Sequence, residues 1–116
     1  MKHSGQIVLA SFPYTDFSDR KLRPVLMLRQ ASANFDDWLI CLISSQTQQA
    51  EEGLDEIITP ADADFPDTGL KVPSLLRLSR LAVIDGKLLV GSIGSISNER
   101  LLRIRQRLAK WINEAP

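Results

Sequence analysis

One cysteine and one histidine occur in this 116-residue chain, and each scarcity removes a class of chemistry. A lone Cys41 cannot form a disulfide within the chain, so a reducing compartment suits it. It sits in the apolar run Trp38–Ser44 and reads as a small buried hydrophobe rather than a reactive thiol. With His3 alone near the N-terminus, a Ser-His-Asp or Cys-His arrangement is not expected. Zinc sites with several Cys and His ligands are excluded by count. Neither GxGxxG nor GxxxxGKS/T occurs to cradle a phosphate. The acids from Glu51 to Asp67 lack the spacing of an EF-hand loop. The expectation is a protein without metal or cofactor. No run approaches the roughly 18 apolar residues that would span a bilayer, so no membrane partner is expected. Met1–Gly5 is polar and Pro13 breaks the next apolar run, which does not fit a secretory signal; the expected location is the cytoplasm.

What the chain does have is charge in balance, with 14 basic and 14 acidic residues. Neutrality argues against a protein-wide basic surface. The distribution is uneven, however. No Lys or Arg falls between Arg29 and Lys71, where nine acids do: Asp36, Asp37, Glu51, Glu52, Asp55, Glu56, Asp62, Asp64 and Asp67. The flanking segments hold every basic residue and five acids. Such segregation permits a local basic surface on a neutral chain.

The length fits one domain over residues 1–116, with enough core to stand without staples. Gln6–Phe12 is an apolar run of strand formers ended by Pro13, and Tyr14–Lys21 reads as an exposed polar loop. Pro24–Leu28 is a strand opened by proline, tolerated where the missing N–H has no ladder partner. Trp38–Ser44 reads as a strand buried on both faces. Glu56–Thr59, Ser74–Leu78, Leu81–Ile84 and Lys87–Ile93 are further short strands, with Asp85-Gly86 predicting a tight hairpin between the last two. Residues 46–54 and 60–69 read as loops. From Ser97 the period changes. Ser97 or Asn98 can cap a helix, Glu99 suits its first turn, and Leu101, Ile104, Leu108 and Trp111 form one apolar stripe. The arginines of that helix, Arg100, Arg103, Arg105 and Arg107, are read as its wet face. Short strands closed by one amphipathic helix predict a mainly β fold, a strongly bent antiparallel sheet or barrel.

Any catalysis must then use Arg, Lys, Ser, Thr, Asp or Glu. Cleavage of RNA is open to such a set, because the substrate brings its own nucleophile, the ribose 2′-OH. The protein has to align it and stabilise charge on the phosphorane. A guanidinium matches phosphate oxygens in bidentate fashion, and a hydroxyl can hold a phosphate oxygen or the 2′-OH. Arginine–hydroxyl pairs are common, so spacing alone is weak support.

An ordered set of blocks says more. Gly5–Asp16 (GQIVLASFPYTD) resembles the opening strand of MazF/PemK-like toxins, and Lys21–Leu26 (KLRPVL) resembles their Arg-Pro signature. Ile43-Ser44-Ser45-Gln46 is similar to the family's Ile-Thr-Ser-Gln, and Gly69–Ser74 with Leu78–Leu81 is similar to its third block. The resemblance spans nearly the whole chain. It implies an SH3-like barrel of the CcdB–MazF type with a C-terminal helix and room for short peripheral helices. It implies a homodimer that cuts single-stranded RNA, leaving a 2′,3′-cyclic phosphate and a 5′-hydroxyl. A cognate antitoxin would hold it inactive, and DNA would be met only through that complex. The family's catalytic arginine falls on Arg23 and its catalytic threonine on Ser44. Ser45 and Gln46 would shape the pocket, with Lys21 as a further substrate contact and Arg80 and Arg77 as weaker ones, where a solvated strand-face charge is the plain alternative. Gln6 and Ser11 stand where acids are common in the family, which puts a proton-transfer role for that strand in doubt. The competing readings are a CcdB-like toxin that poisons gyrase by protein contact, and an inactive relative kept as a binding module; fold alone does not separate them.

Overall fold

The computed structural model of the chain describes residues 2–11 and 22–116. Phe12, Pro13 and the predicted loop from Tyr14 to Lys21 lie outside those residues. Within them, β1 (Gln6–Ser11), β2 (Leu22–Gln30), β3 (Asp37–Ser44), β4 (Glu56–Ile58), β5 (Ser74–Asp85) and β6 (Leu89–Ser95) form one antiparallel sheet. Its order is β4-β5-β3-β2-β1-β6. A short helix, α1 (Phe65–Thr68), lies between β4 and β5, and α2 (Asn98–Asn113) follows β6. The mainly β class with a C-terminal helix is as the sequence predicts. No described helix is long and apolar enough to cross a membrane.

The strand pleat divides the apolar residues between two cores. Successive side chains on a strand point to opposite faces. Ile7, Leu26, Leu28, Cys41, Ile43, Leu76 and Leu78 pack on one face with Leu101, Ile104 and Leu108 of α2. Val8, Val25, Met27, Trp38, Ile40 and Ile84 pack on the other, against Leu88 and Leu89. β3 is thus buried on both sides, as its continuous apolar run predicts. Cys41 is fully buried, and desolvation pushes its thiol up to about 12, in keeping with a packing role.

Closure differs from a barrel. β4 and β6 are the two edges of the sheet and do not pair with each other. Instead α1, which follows β4, lies against β6 at backbone distance. A Cβ on Gly69 would stand 2.1 Å from the Ile93 carbonyl oxygen, and one on Gly94 would stand 2.2 Å from that of Asp67. Both glycines are there for close approach, and Gly69 also takes a positive φ of 76° to end α1. The helix fills the place of a strand-to-strand seam.

Two further expectations are corrected. Ser74–Leu78 and Leu81–Ile84 are one strand, β5, interrupted by a bulge. Its partner register on β3 moves from Leu42↔Arg77 to Cys41↔Leu81, leaving Leu78, Ser79 and Arg80 outside the ladder. The Ser79 N–H donates instead to Asp55 Oδ1 at 2.9 Å. Asp85-Gly86 does not make a hairpin, because β5 and β6 are not neighbours in the sheet. A 3-10 turn at Gly86–Leu88 carries the chain across to β1. A Cβ at Gly86 would meet the Asp36 carboxylate at 2.0 Å, so a side chain there would have to displace that carboxylate. That carboxylate accepts from Lys2 Nζ and Trp38 Nε1, which together hold it below the usual carboxylate range.

α2 begins as predicted, with Ser97 Oγ accepting from the Arg100 N–H at 3.1 Å. Trp111 does not join the buried stripe. It is 46% exposed, and its neighbours throughout the last turn are exposed as well. Arg103 and Arg105 of the arginine face are exposed, as expected, but Arg100 is not. Arg100 is buried and forms a bidentate pair with Asp64, at 2.8 and 2.9 Å, while also meeting Glu56. Arg103 also binds Glu56 Oε1, and Arg107 Nη1 stands 3.4 Å from Oε2. Arg105 donates to the Leu28 carbonyl of β2. The hydrogen bonds from Arg100 hold the Asp64 carboxyl at about 2, against burial, which acts the other way. Arg100 and Arg103 are in turn raised, chiefly by their bonds to Asp64 and Glu56. The segregated charges of the sequence thus meet in part: Glu56, Asp62 and Asp64 of the middle segment face Arg100, Arg103 and Arg107 of the closing helix.

Candidate functional site

The ends of β2 and β3 carry the second apolar core to its polar rim. In the β2–β3 ladder Val25 pairs with Leu42. Continued by two residues, that register sets Arg23 opposite Ser44, on the face that holds Val25 and Leu42. Pro24 lies between them in sequence and pairs with Leu9 of β1, while the β3 ladder begins at Val25. The strand thus has one partner at the proline, where an N–H is missing. Arg23 is exposed and Ser44 half-buried.

A groove of about 610 Å³ opens over these residues. Arg23, Ser44, Ser45 and Gln46 all line it. So do Lys71 and Val72, from the segment that leads into β5, and Ser74 and Arg77 of β5 itself. Its lining holds three cations and no carboxylate among the described residues. A one-signed concave surface focuses field and draws anions. The apolar portions of Pro24, Leu42, Leu70 and Val72 add surface on which a flat, uncharged group can rest.

Local bonds set the polar groups. Ser44 Oγ accepts from the Gln46 N–H at 3.0 Å, a turn that redirects the chain out of β3 into the 3-10 turn Thr47–Gln49. That bond leaves the hydroxyl proton free to donate. Gln46 Oε1 accepts from Gln48 Nε2 at 2.7 Å. Arg77 Nη1 donates to Gln49 Oε1 at 3.3 Å, and Arg77 Nε is buried without an acceptor.

Of the residues the sequence singles out, Arg23, Ser44, Ser45 and Gln46 come together. Lys21 lies outside the described residues. Arg80 is exposed within the β5 bulge and does not line the groove. Lys71 and Ser74 were not picked out. Both belong to the Gly69–Ser74 block of the resemblance, but nothing in composition or period ties that block to Arg23. Gln6 is buried at the other end of β1, opposite Ser95, and its Oε1 accepts from the His3 N–H at 3.1 Å. Arg23 is opposite Ala10, so the amide at position 6 bears on packing and not on the groove.

Comparison with known proteins follows the same outline. The family model described as PemK-like, MazF-like toxin of type II toxin–antitoxin system matches residues 3–112. No curated protein sequence matches the chain. Among solved structures, an endoribonuclease from a mycobacterial species, in complex with its cognate antitoxin, superposes with a TM-score of 0.71 at 13% identity, covering 100% of this chain and 99% of that one. The Mycobacterium tuberculosis toxin MazF-mt6 gives 0.69 at 16% identity, over 96% and 99% of the two chains. A MazE–MazF structure from Deinococcus radiodurans gives 0.69 at 18%, over 98% of each. At such identities these likenesses carry the fold alone.

Proposed function

The chain belongs to the PemK-like, MazF-like toxins of type II toxin–antitoxin systems, and from that premise we propose that it is a metal-independent endoribonuclease acting on single-stranded RNA. The observation that carries this reading is the groove, which Arg23 and Ser44 line together, with three cations and no carboxylate among the described residues.

In the proposed reaction the 2′-OH attacks the adjacent phosphorus and the bond to the 5′ oxygen breaks. A 2′,3′-cyclic phosphate and a 5′-hydroxyl result, one proton leaving the 2′ oxygen and one reaching the 5′ oxygen. Arg23 binds the scissile phosphate and stabilises the charge that grows on its oxygens. A guanidinium is a poor base, so its part is electrostatic. Ser44, with its oxygen already accepting from Gln46 N–H, donates its hydroxyl proton to a phosphate oxygen or the 2′ oxygen and so fixes the attack geometry. Ser45 and Gln46 shape the floor beside it. Solvent or the phosphate itself takes the 2′ proton, since the described lining offers neither carboxylate nor imidazole.

A cognate antitoxin and a homodimer belong to the same proposal, resting on family membership; the solved mycobacterial relative is itself in complex with its antitoxin. The deciding experiment incubates purified protein with a long single-stranded RNA in EDTA, beside Arg23→Ala and Ser44→Ala. Discrete cuts, with cyclic phosphate ends, that vanish in both variants are expected. Intact RNA with every substrate, together with inhibition of gyrase, would replace the reading with that of a binding toxin.

A further inference from the structure

We infer that Arg77 is a second phosphate-binding cation of the groove, held in place by Gln49, and that it grips RNA at a phosphate other than the scissile one. This rests on the endoribonuclease reading above.

The register supplies the geometry. Ser44 pairs with Leu75, and Arg77 is two residues further along β5, on the same face. Diagonal neighbours of this kind stand roughly 7–8 Å apart. Arg23 lies on the other flank, where the β2–β3 register extended by two residues from Val25↔Leu42 meets Ser44. Three adjacent strands therefore present arginine, hydroxyl and arginine in a row, with Ser44 in the middle. A single phosphate cannot meet Arg23 and Ser44 and also reach back to Arg77 along this row as well as the next phosphate of the chain can.

The surroundings of Arg77 set it apart from the arginines of α2. Arg100, Arg103 and Arg107 each face a carboxylate, and Arg105 donates to a backbone carbonyl. Arg77 has no carboxylate within ion-pair distance among the described residues. Among the described residues its side chain bonds only to the neutral Gln49 side chain, and its Nε is buried without an acceptor. A half-buried guanidinium without a counter-ion is costly unless an anion arrives. Gln49 holds the fork in place without neutralising it, which is what a waiting anion site needs. Arg80, exposed and in the bulge, has neither the position nor the constraint.

The test measures binding of a fluorescent single-stranded oligoribonucleotide in the Ser44→Ala background, titrated with salt. On a single strand each phosphate contact contributes about 0.7 to the slope of log K against log salt. Arg77→Ala is expected to lower the slope by about 0.7 and to weaken binding about fivefold at 0.1 M salt. Arg77→Lys keeps the slope, and Arg80→Ala leaves it unchanged. Gln49→Glu, which supplies a counter-ion, behaves like Arg77→Ala although it removes no cation from the groove. With Ser44 restored, Arg77→Ala raises KM and largely spares kcat. Thermal melts confirm that each variant is folded. An unchanged slope in folded Arg77→Ala would overturn the assignment and leave the nuclease reading intact. Loss of kcat at constant KM would also overturn it, moving Arg77 to the scissile phosphate. Absence of RNA binding by the parent would overturn both readings together.

Discussion

Arg23 and Ser44 line one groove from the neighbouring strands β2 and β3, just beyond the Val25↔Leu42 pair, where the apolar face of the sheet gives way. Neither residue is held by an ion pair among the described residues, and neither belongs to a core cluster. Strand register places them, and the pairs Val25↔Leu42 and Leu26↔Cys41 hold that register. Chemistry and stability are therefore separable here.

Arg23→Ala and Ser44→Ala are each expected to reduce kcat/KM on RNA by at least about 100-fold, the usual scale for removing a donor from developing phosphoryl or oxyanion charge. Ser44→Thr keeps the hydroxyl and most of the activity. Denaturation midpoints of all three should stay near that of the parent, within about 0.5 kcal/mol, because the positions are not core. A large loss of stability in Arg23→Ala would contradict the separation.

Arg100 tests the opposite case. Its side chain is 7% exposed and faces Asp64, Glu56 and Asp62. Replacing it by alanine leaves buried carboxylates without a counter-ion, which costs about 3–5 kcal/mol. Arg103, 47% exposed, should cost less than about 1 kcal/mol when replaced. Urea unfolding of the two variants side by side reads the difference. Equal, small losses would mean that water reaches the network freely.

Asp64 makes the same network sensitive to acid. Its folded carboxyl titrates at about 2, below the ordinary 3.8, and its side chain is 10% exposed. A depressed carboxyl stabilises the fold above the unfolded value and loses that contribution as the pH falls through the folded one. Between about pH 4 and pH 2 the parent should lose about 2 kcal/mol through this group. Asp64→Asn, less stable at neutral pH, should show a shallower decline over that interval. Unfolding free energies at stepped pH give the comparison, and parallel curves would show that Asp64 is not the group responsible.

Gly69 and Gly53 both have positive φ, at 76° and 82°, but differ in surroundings. Alanine at Gly53 meets nothing within 4 Å, so only the backbone preference opposes it, about 1–2 kcal/mol. Alanine at Gly69 must also push α1 away from Ile93. Its melting temperature should fall well beyond that of Gly53→Ala. Similar melting temperatures would show that the seam between α1 and β6 yields easily.

The sequence announced elements wherever a period ran unbroken. β3 was legible as a continuous apolar run, and α2 from its cap and stripe. β5 was split because Leu78–Arg80 leave the ladder, and a bulge has no composition of its own. Asp85-Gly86 misled because a glycine in a 3-10 turn looks the same as one chosen for positive φ. α1 was hidden by its four-residue length, and the burial of Arg100 by the assumption that charge seeks water. For the groove, Arg23 and Ser44 were visible through family resemblance, but their meeting depends on a register that local sequence does not encode. Lys71, Ser74 and the anchoring of Arg77 are products of tertiary packing.

The ion network also has a consequence in time. Residues 51–67 leave the ribosome well before residues 98–113, so the carboxylates of Glu56, Asp62 and Asp64 are synthesised ahead of the arginines that match them. Leu101, Ile104 and Leu108, which complete the first core, arrive equally late. A nascent chain that lacks α2 holds neither the apolar cover nor the counter-ions its sheet needs, and domains close as units. The groove on that sheet is then assembled only after the last helix has emerged.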